Sequence, residues 1–111
     1  MGLREFDLRS IGPVSAPVVE AELHGEIDIA NASRFEAAVD ELRADRPLVL
    51  DLSPASYFDS AGFAALDRLL GGGRLQVVMA PTCVMRRAAT LMGVPVHDDP
   101  DSARAALGSG A

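Results

Sequence analysis

Residues 48–52, LVLDL, follow Pro47 and are apolar at four of five positions. A short β-type run with almost no polar face is what a central strand covered on both sides requires, and it points to a layered arrangement of sheet and helices. The flanking segments agree. Residues 18–23, VVEAEL, alternate, with Val19, Ala21 and Leu23 on one side and Glu20 and Glu22 on the other, the pattern of a half-buried strand. An earlier strand near residues 3–9 is expected to pair with it through the turn residues Gly12, Pro13 and Pro17. In residues 31–44, NASRFEAAVDELRA, Phe35, Ala38, Val39 and Leu42 fall at i, i+3, i+4 and i+7. That spacing predicts an amphipathic helix with Asn31 as N-cap, or a capping box from Ser33 and Glu36.

After residues 48–52, the stretch SPASYF reads as a loop, and Phe63, Leu66 and Leu70 mark a second helix ended by Gly71-Gly72-Gly73. Residues 75–79, LQVVM, are the next strand. Residues 81–92 are the next helix, with Val84, Ala88 and Leu91 inward and Gly93 as its stop. Residues 94–96 make a short strand that Pro95 confines to an edge, residues 100–107 a final helical turn or two, and residues 108–111 a loose tail. The order β-β-α-β-α-β-α-β-α with right-handed crossovers gives an α/β fold: a mixed, mostly parallel sheet of about five strands with about four helices packed against it.

Length and charge narrow the function. A chain of 111 residues that is 49% apolar has material for one core, and a domain of this size buries about two-thirds of its unfolded surface. One domain over residues 1–111 is therefore expected. Ten basic against sixteen acidic residues give a net charge of −6, and the one tight basic pair, Arg86-Arg87, reads as a solvated helix face, so direct nucleic-acid binding is not expected. Cys83 is the only cysteine, which excludes an internal disulfide, and neither it nor His24 or His97 has neighbours at metal-ligand spacing. Cys83 is expected as a small buried apolar residue, the histidines as surface or half-buried groups near strand ends. No apolar stretch approaches the ~20 residues of a membrane span and MGLREFDLRS lacks the apolar core of a signal peptide, so a cytoplasmic location is expected.

The segment Tyr57-Phe58-Asp59-Ser60-Ala61-Gly62-Phe63 places a hydroxyl where a loop becomes a helix, and the N–H groups of a first turn favour negative charge. A phosphate on Ser60 would meet those donors and would add a charge of about −1.5 to −2 to the surface. Ser60 or Asp59 can equally serve as an ordinary helix cap. A nucleophilic serine is the weaker reading, since no G-x-S-x-G elbow surrounds Ser60 and neither histidine stands in sequence relation to it. Gly25-Glu26-Ile27-Asp28 follows the second strand and precedes Asn31, so Asp28 lies on a loop beside a helix start. Because helix starts gather at the carboxyl ends of parallel strands, Asp28 is expected on the same edge as Ser60.

In these residues the chain resembles the STAS family, and within it the anti-sigma factor antagonists. The shared pattern is G-E-[LI]-D after a strand, an amphipathic helix, an apolar strand ending in Asp-Leu, and a loop to D-S-[SA]-G opening the next helix; here these are Gly25-Glu26-Ile27-Asp28, residues 31–44, residues 48–52 and Asp59-Ser60-Ala61-Gly62. The element order matches through Leu107. The resemblance implies a non-enzymatic switch: unphosphorylated, it binds an anti-sigma factor that is itself a serine kinase and frees the sigma factor for RNA polymerase. Phosphorylation of Ser60 by that kinase ends the interaction until a phosphoserine phosphatase resets it. The partner surface it implies comprises Asp28, Asp59, Ser60, Ala61, Gly62 and Phe63, with no catalytic residue, cofactor or metal. Two features depart from the pattern. Ala61 stands where many relatives carry a second Ser, and the second helix, read as residues 63–70, is short, which puts its partner-facing surface in question. The competing reading within the same fold is a constitutive STAS scaffold, or a subunit of lipid- or anion-transport machinery, without a phosphoswitch.

Overall fold

The computed structural model describes residues 5–13 and 15–109. Its sheet is organised around β2 (Val19–Ile27), which has a partner on each side. β1 (Phe6–Ile11) pairs with it antiparallel, Leu8 opposite Leu23. β3 (Leu48–Asp51) runs parallel to the first half of β2, and β5 (Leu75–Val78) runs parallel to β3. The fifth strand, β4 (Ala55–Phe58), lies in the stretch expected as a loop and runs parallel to the second half of β2. β3 and β4 thus follow one another along the same side of β2, and the register shifts by one residue between Gly25 and Glu26. Gly25 holds φ +99°, and a Cβ there would stand 2.4 Å from the Glu5 carbonyl oxygen, so the bend that lets β2 serve both partners requires glycine.

The helices are α1 (Ala32–Leu42), α2 (Ser60–Gly71), α3 (Arg86–Leu91) and α4 (Pro100–Ser109). On one face of the sheet Phe35 and Val39 of α1, Leu66 and Leu69 of α2, and Met85 and Ala89 near α3 pack with Ala21, Leu23, Leu48, Leu50, Leu75 and Val77 in one core. On the other face Ala103 of α4 joins Val49 and Val78 in a smaller one. The continuously apolar β3 owes its pattern to this, because Leu48 and Leu50 face the large core and Val49 the small one. This mixed α/β arrangement agrees with the class read from sequence.

Several elements differ from the sequence reading. β1 begins at Phe6 and extends to Ile11, and the start expected at Leu3 and Arg4 lies outside the described residues. β2 continues four residues beyond Leu23, so Gly25, Glu26 and Ile27 are strand rather than loop. α2 has 12 residues, not the eight expected, because its first turn is Ser60-Ala61-Gly62. Residues 81–85 run as turns ahead of α3, and the buried stripe falls on Met85 and Ala89; Val84 and Leu91, expected inward, are 79% and 77% exposed. Residues 94–96 form no strand. Pro95 has no N–H to donate, and the chain instead meets the sheet at one bridge, where His97 N–H donates to the Val77 carbonyl and its own carbonyl accepts from Met79. α4 extends through Ser109, two residues into the expected tail, and residues 110–111 are outside the described range. Arg86 is not a solvated partner of Arg87: it donates to the Met79 carbonyl at 2.6 Å and pairs with Asp98 at 2.8 Å. Cys83, expected to be buried, is only half-buried where it packs against the core, and His24, near Glu22, and His97, near Gln76, are half-buried as expected.

Candidate functional site

Two chain reversals meet at one edge of the domain. β2 leaves the sheet at Ile27 and reaches α1 through Asp28-Ile29-Ala30-Asn31; β4 leaves at Phe58 and reaches α2 through Asp59. The two strands pair Ile27 with Phe58, and the Asp59 N–H donates to the Ile27 carbonyl at 3.1 Å, so the loops start side by side.

Asp59 is the N-cap of α2. Its backbone is extended, and Oδ1 accepts the Gly62 N–H at 3.0 Å, satisfying one of the donors a helix start leaves over. Oδ2 reaches the other loop, accepting the Ile29 N–H at 3.2 Å. Ser60 is therefore the first helical residue and not the cap. Its side chain is exposed beside a carboxylate that already occupies the Gly62 donor, which changes the electrostatics expected from sequence. Negative charge added at Ser60 would stand next to existing negative charge. Ala61, half-buried, leaves Ser60 as the only hydroxyl of the tetrapeptide.

Gly62 is buried, and a Cβ there would lie 2.9 Å from the Phe58 ring and 3.1 Å from both the Ile27 carbonyl oxygen and its Cγ2. Only glycine lets α2 start this close to β2 and β4. Below it the rings of Phe6, Phe35, Phe58 and Phe63 form a chain with centroid spacings of 6.0, 5.6 and 5.5 Å, the first two edge-to-face, which fixes β1, α1, β4 and α2 to one another.

Asp28 lies on this same edge. Its Oδ1 accepts the Ala30 N–H at 2.9 Å and its carbonyl accepts from Asn31 and Ala32. Asn31 does not cap α1 with its side chain. It is buried, its Oδ1 accepting the Asp28 N–H and its Nδ2 donating to the Glu26 carbonyl, both at 2.9 Å, so it braces the loop from within. Nor does Glu36 complete a capping box; it pairs across to α2 with Arg68 at 2.9 Å, which raises the Arg68 pKa. Among the described residues no three His, Cys, Asp or Glu side chains are grouped to hold a metal ion.

Around Ser60 the surface is an open depression of about 240 Å³ lined by Ser60, Phe63, Ala64, Asp67, Met92 and Val94, of which Asp67 is the only charged member. Met92 and Val94, beyond the tetrapeptides, and Ile29, an 84% exposed large apolar residue between Asp28 and Ala30, are neighbours not singled out from the sequence. Ile29 was visible in the sequence as an isoleucine where a helix-entry loop normally carries polar residues; Met92 and Val94 gave no local signal.

The model of the STAS domain family matches residues 13–80, more than half of the chain. The chain belongs to the STAS family. This STAS domain is 37% identical over 82 residues to the anti-sigma-F factor antagonist RsfB of Mycobacterium tuberculosis, a match covering 69% of this chain and 67% of that protein. Its fold superposes on the crystal structure of an anti-sigma factor antagonist from Mycobacterium paratuberculosis with a TM-score of 0.76 and 26% identity, over 93% of this chain and 94% of the other. The anti-sigma factor antagonist SpoIIAA of Bacillus, in its unphosphorylated form, shares the fold at a TM-score of 0.55 and 17% identity, over 96% of this chain and all of that one. Both tetrapeptides and the whole Ser60 edge except Met92 and Val94 fall inside residues 13–80 of the STAS match. No helix among the described residues is long and apolar enough to cross a membrane.

Proposed function

We propose that this STAS domain is an anti-sigma factor antagonist, folding as one unit over residues 1–111 in the cytoplasm, and that Ser60 is its phosphoacceptor. The observation that carries this reading is the division of labour at the start of α2: Asp59 supplies the cap, which leaves the Ser60 hydroxyl exposed and free of a structural task. The names of the relatives support the same direction, since RsfB and the Mycobacterium paratuberculosis protein are described as antagonists and SpoIIAA has been solved both unphosphorylated and phosphorylated.

In this reading the partner, an anti-sigma factor with serine kinase activity, docks on the edge that carries Asp28, Asp59, Ser60 and Ala61, with buried Gly62 and Phe63 supporting it from below, and releases its sigma factor. The kinase then moves the γ-phosphoryl group of ATP to Ser60 Oγ, leaving ADP and the hydroxyl proton. Catalysis belongs to the partner. The phosphate stands beside Asp59 and near Asp67, and the added like charge and its hydration oppose renewed docking. A phosphatase returns the hydroxyl.

The test is titration of a candidate anti-sigma factor kinase, with nucleotide held constant, against Ser60→Ala and Ser60→Asp. The expected result is near wild-type affinity for the alanine variant and a loss of about 5- to 150-fold for the aspartate variant. Equal affinities would replace the switch with the constitutive scaffold. Phosphopeptide mapping after incubation with ATP should find phosphate on Ser60 and none on Ser53, Ser56 or Ser102; phosphate that persists in Ser60→Ala would overturn the assignment.

A further inference from the structure

From the loop that joins β2 to α1 we infer that Ile29 is the apolar anchor of the docking surface, held in place by Asp59, and that it enters an apolar cleft on the partner rimmed by arginine or lysine. The inference rests on the proposed partner-binding role of the Ser60 edge and adds the residue and chemistry of recognition. A single exposed isoleucine is by itself ordinary. Ile29 differs in how its backbone is fixed. The five successive N–H groups from Asp28 to Ala32 are all engaged: Asp28 to Asn31 Oδ1, Ile29 to Asp59 Oδ2, Ala30 to Asp28 Oδ1, and Asn31 and Ala32 to the Asp28 carbonyl. Beneath them Asn31 is buried and tied to the Glu26 carbonyl.

A loop so fully bonded is ordered before any partner arrives, and a β-branched isoleucine has little side-chain freedom to lose on docking. A preorganised apolar group of this kind is what a binding hot spot requires, since most of the cost of ordering is removed in advance. Charge selects the occupant. The Asp28 and Asp59 carboxylates each accept from backbone N–H groups at or next to Ile29, and the chain carries −6 overall, so a surface that swallows the isoleucine must bring its rim against two carboxylates. Arginine or lysine meets that demand. A second copy of this chain would set aspartates against aspartates. Asp59 is then a positioning residue: one oxygen starts the Ser60 helix and the other holds the anchor.

The experiment is calorimetric titration of the anti-sigma factor that the wild-type domain binds, with Ile29→Ala, Asp59→Asn and the equally exposed control Val84→Ala. Ile29→Ala should lose at least about 10-fold in affinity with its circular dichroism unchanged, and Val84→Ala should stay within about twofold. Wild-type affinity should fall as salt rises. Asp59→Asn keeps an oxygen for the cap but no second acceptor, so exchange of the Ile29 amide should accelerate while α2 stays protected, a change that a merely capping Asp59 would not produce. An Ile29→Ala variant within twofold of wild type while Ser60→Asp is weakened would overturn the anchor and leave the switch standing. Loss in Ile29→Ala with equal Ser60→Ala and Ser60→Asp affinities would uphold the anchor and remove the switch. Affinity indifferent to salt, or a wild-type dimer that Ile29→Ala converts to monomer in sedimentation, would overturn the basic-rimmed partner.

Discussion

α2 and α4 begin with the same chemistry and come to different ends. Each has an aspartate at the cap, Asp59 and Asp99, whose Oδ1 accepts the N–H three residues on, from Gly62 at 3.0 Å and from Ser102 at 2.8 Å. The α4 start is local: Pro100 fills the first helical position, where its missing N–H costs nothing, and Asp101 and Ser102 face solvent. The α2 start is tied to a second loop through Asp59 Oδ2, pressed onto β2 through Gly62, floored by Phe58 and Phe63, and has a serine where α4 has a proline. A cap is thus no sign of function. What sets the α2 start apart is that its neighbours take over every structural duty and leave one hydroxyl with none.

Six substitutions, and a seventh followed against pH, sharpen or break this contrast. The largest effect belongs to the floor. Phe35 is fully buried between Phe6 and Phe58, and Phe35→Ala should cost about 3–5 kcal/mol in a denaturant titration. Gly62→Ala should cost about 1–3 kcal/mol by overpacking against Phe58 and Ile27, whereas the corresponding Ser102→Ala in α4, which loses only an exposed hydroxyl beside Asp99, should cost less; equal losses would erase the contrast. Asp59→Ala should cost about 0.5–2 kcal/mol, more than Asp99→Ala in the same assay, because it strips a cap and a loop tie together. Ser60→Ala should fall within about 0.5 kcal/mol of wild type, and a larger loss would mean that the hydroxyl has a structural task after all.

The smallest effect is on pH dependence at α4. The Asp99 carboxyl is held below its ordinary value, chiefly by the Ser102 backbone N–H and then by its hydroxyl. A carboxyl lowered on folding stabilises fully above its unfolded pKa of about 4, and its contribution is lost as pH falls through the lower folded value. Asp99→Asn should therefore be less stable than wild type at neutral pH and lose that deficit in acid; a deficit constant with pH would assign the cap a neutral hydrogen-bonding role only.

The same two helix starts explain what was legible in the sequence. The expectation that Asp28 and Ser60 share an edge follows from local patterns: alternation in β2, the apolar run of β3, and the rule that helix starts collect at the carboxyl ends of parallel strands; the pairing of the two tetrapeptides as one site came from the resemblance to the STAS family. The amphipathic period of α1 placed Phe35 and Val39 in the core. What failed was decided by distant contacts. β4 is strand because Ile27 and Glu26 offer it a partner, while ASYF by itself carries no strand period beyond four residues. The stripe of α3 slid by one residue because Met85, not Val84, meets the core. Asn31 does not cap α1 with its side chain because that side chain is consumed by the loop beneath Asp28, whereas the α2 cap falls to Asp59, one of the two residues the sequence offered for it.

At the opposite end of α2 from Ser60 the arrangement differs again. Arg43, where α1 ends, donates to the carbonyls of Leu69 and Gly73, is itself held by Asp40 at 2.7 Å, and lays its guanidinium in the space a Cβ at Gly72 would take. The atoms it grasps are main-chain oxygens, which every amino acid possesses. At this end the mounting of α2 therefore draws on neither Ala64 nor Asp67, and both are left without an attachment role. Attachment there is carried by main-chain atoms and display by side chains, so Ala64 and Asp67 can be exchanged without loosening the end of the helix that Arg43 holds.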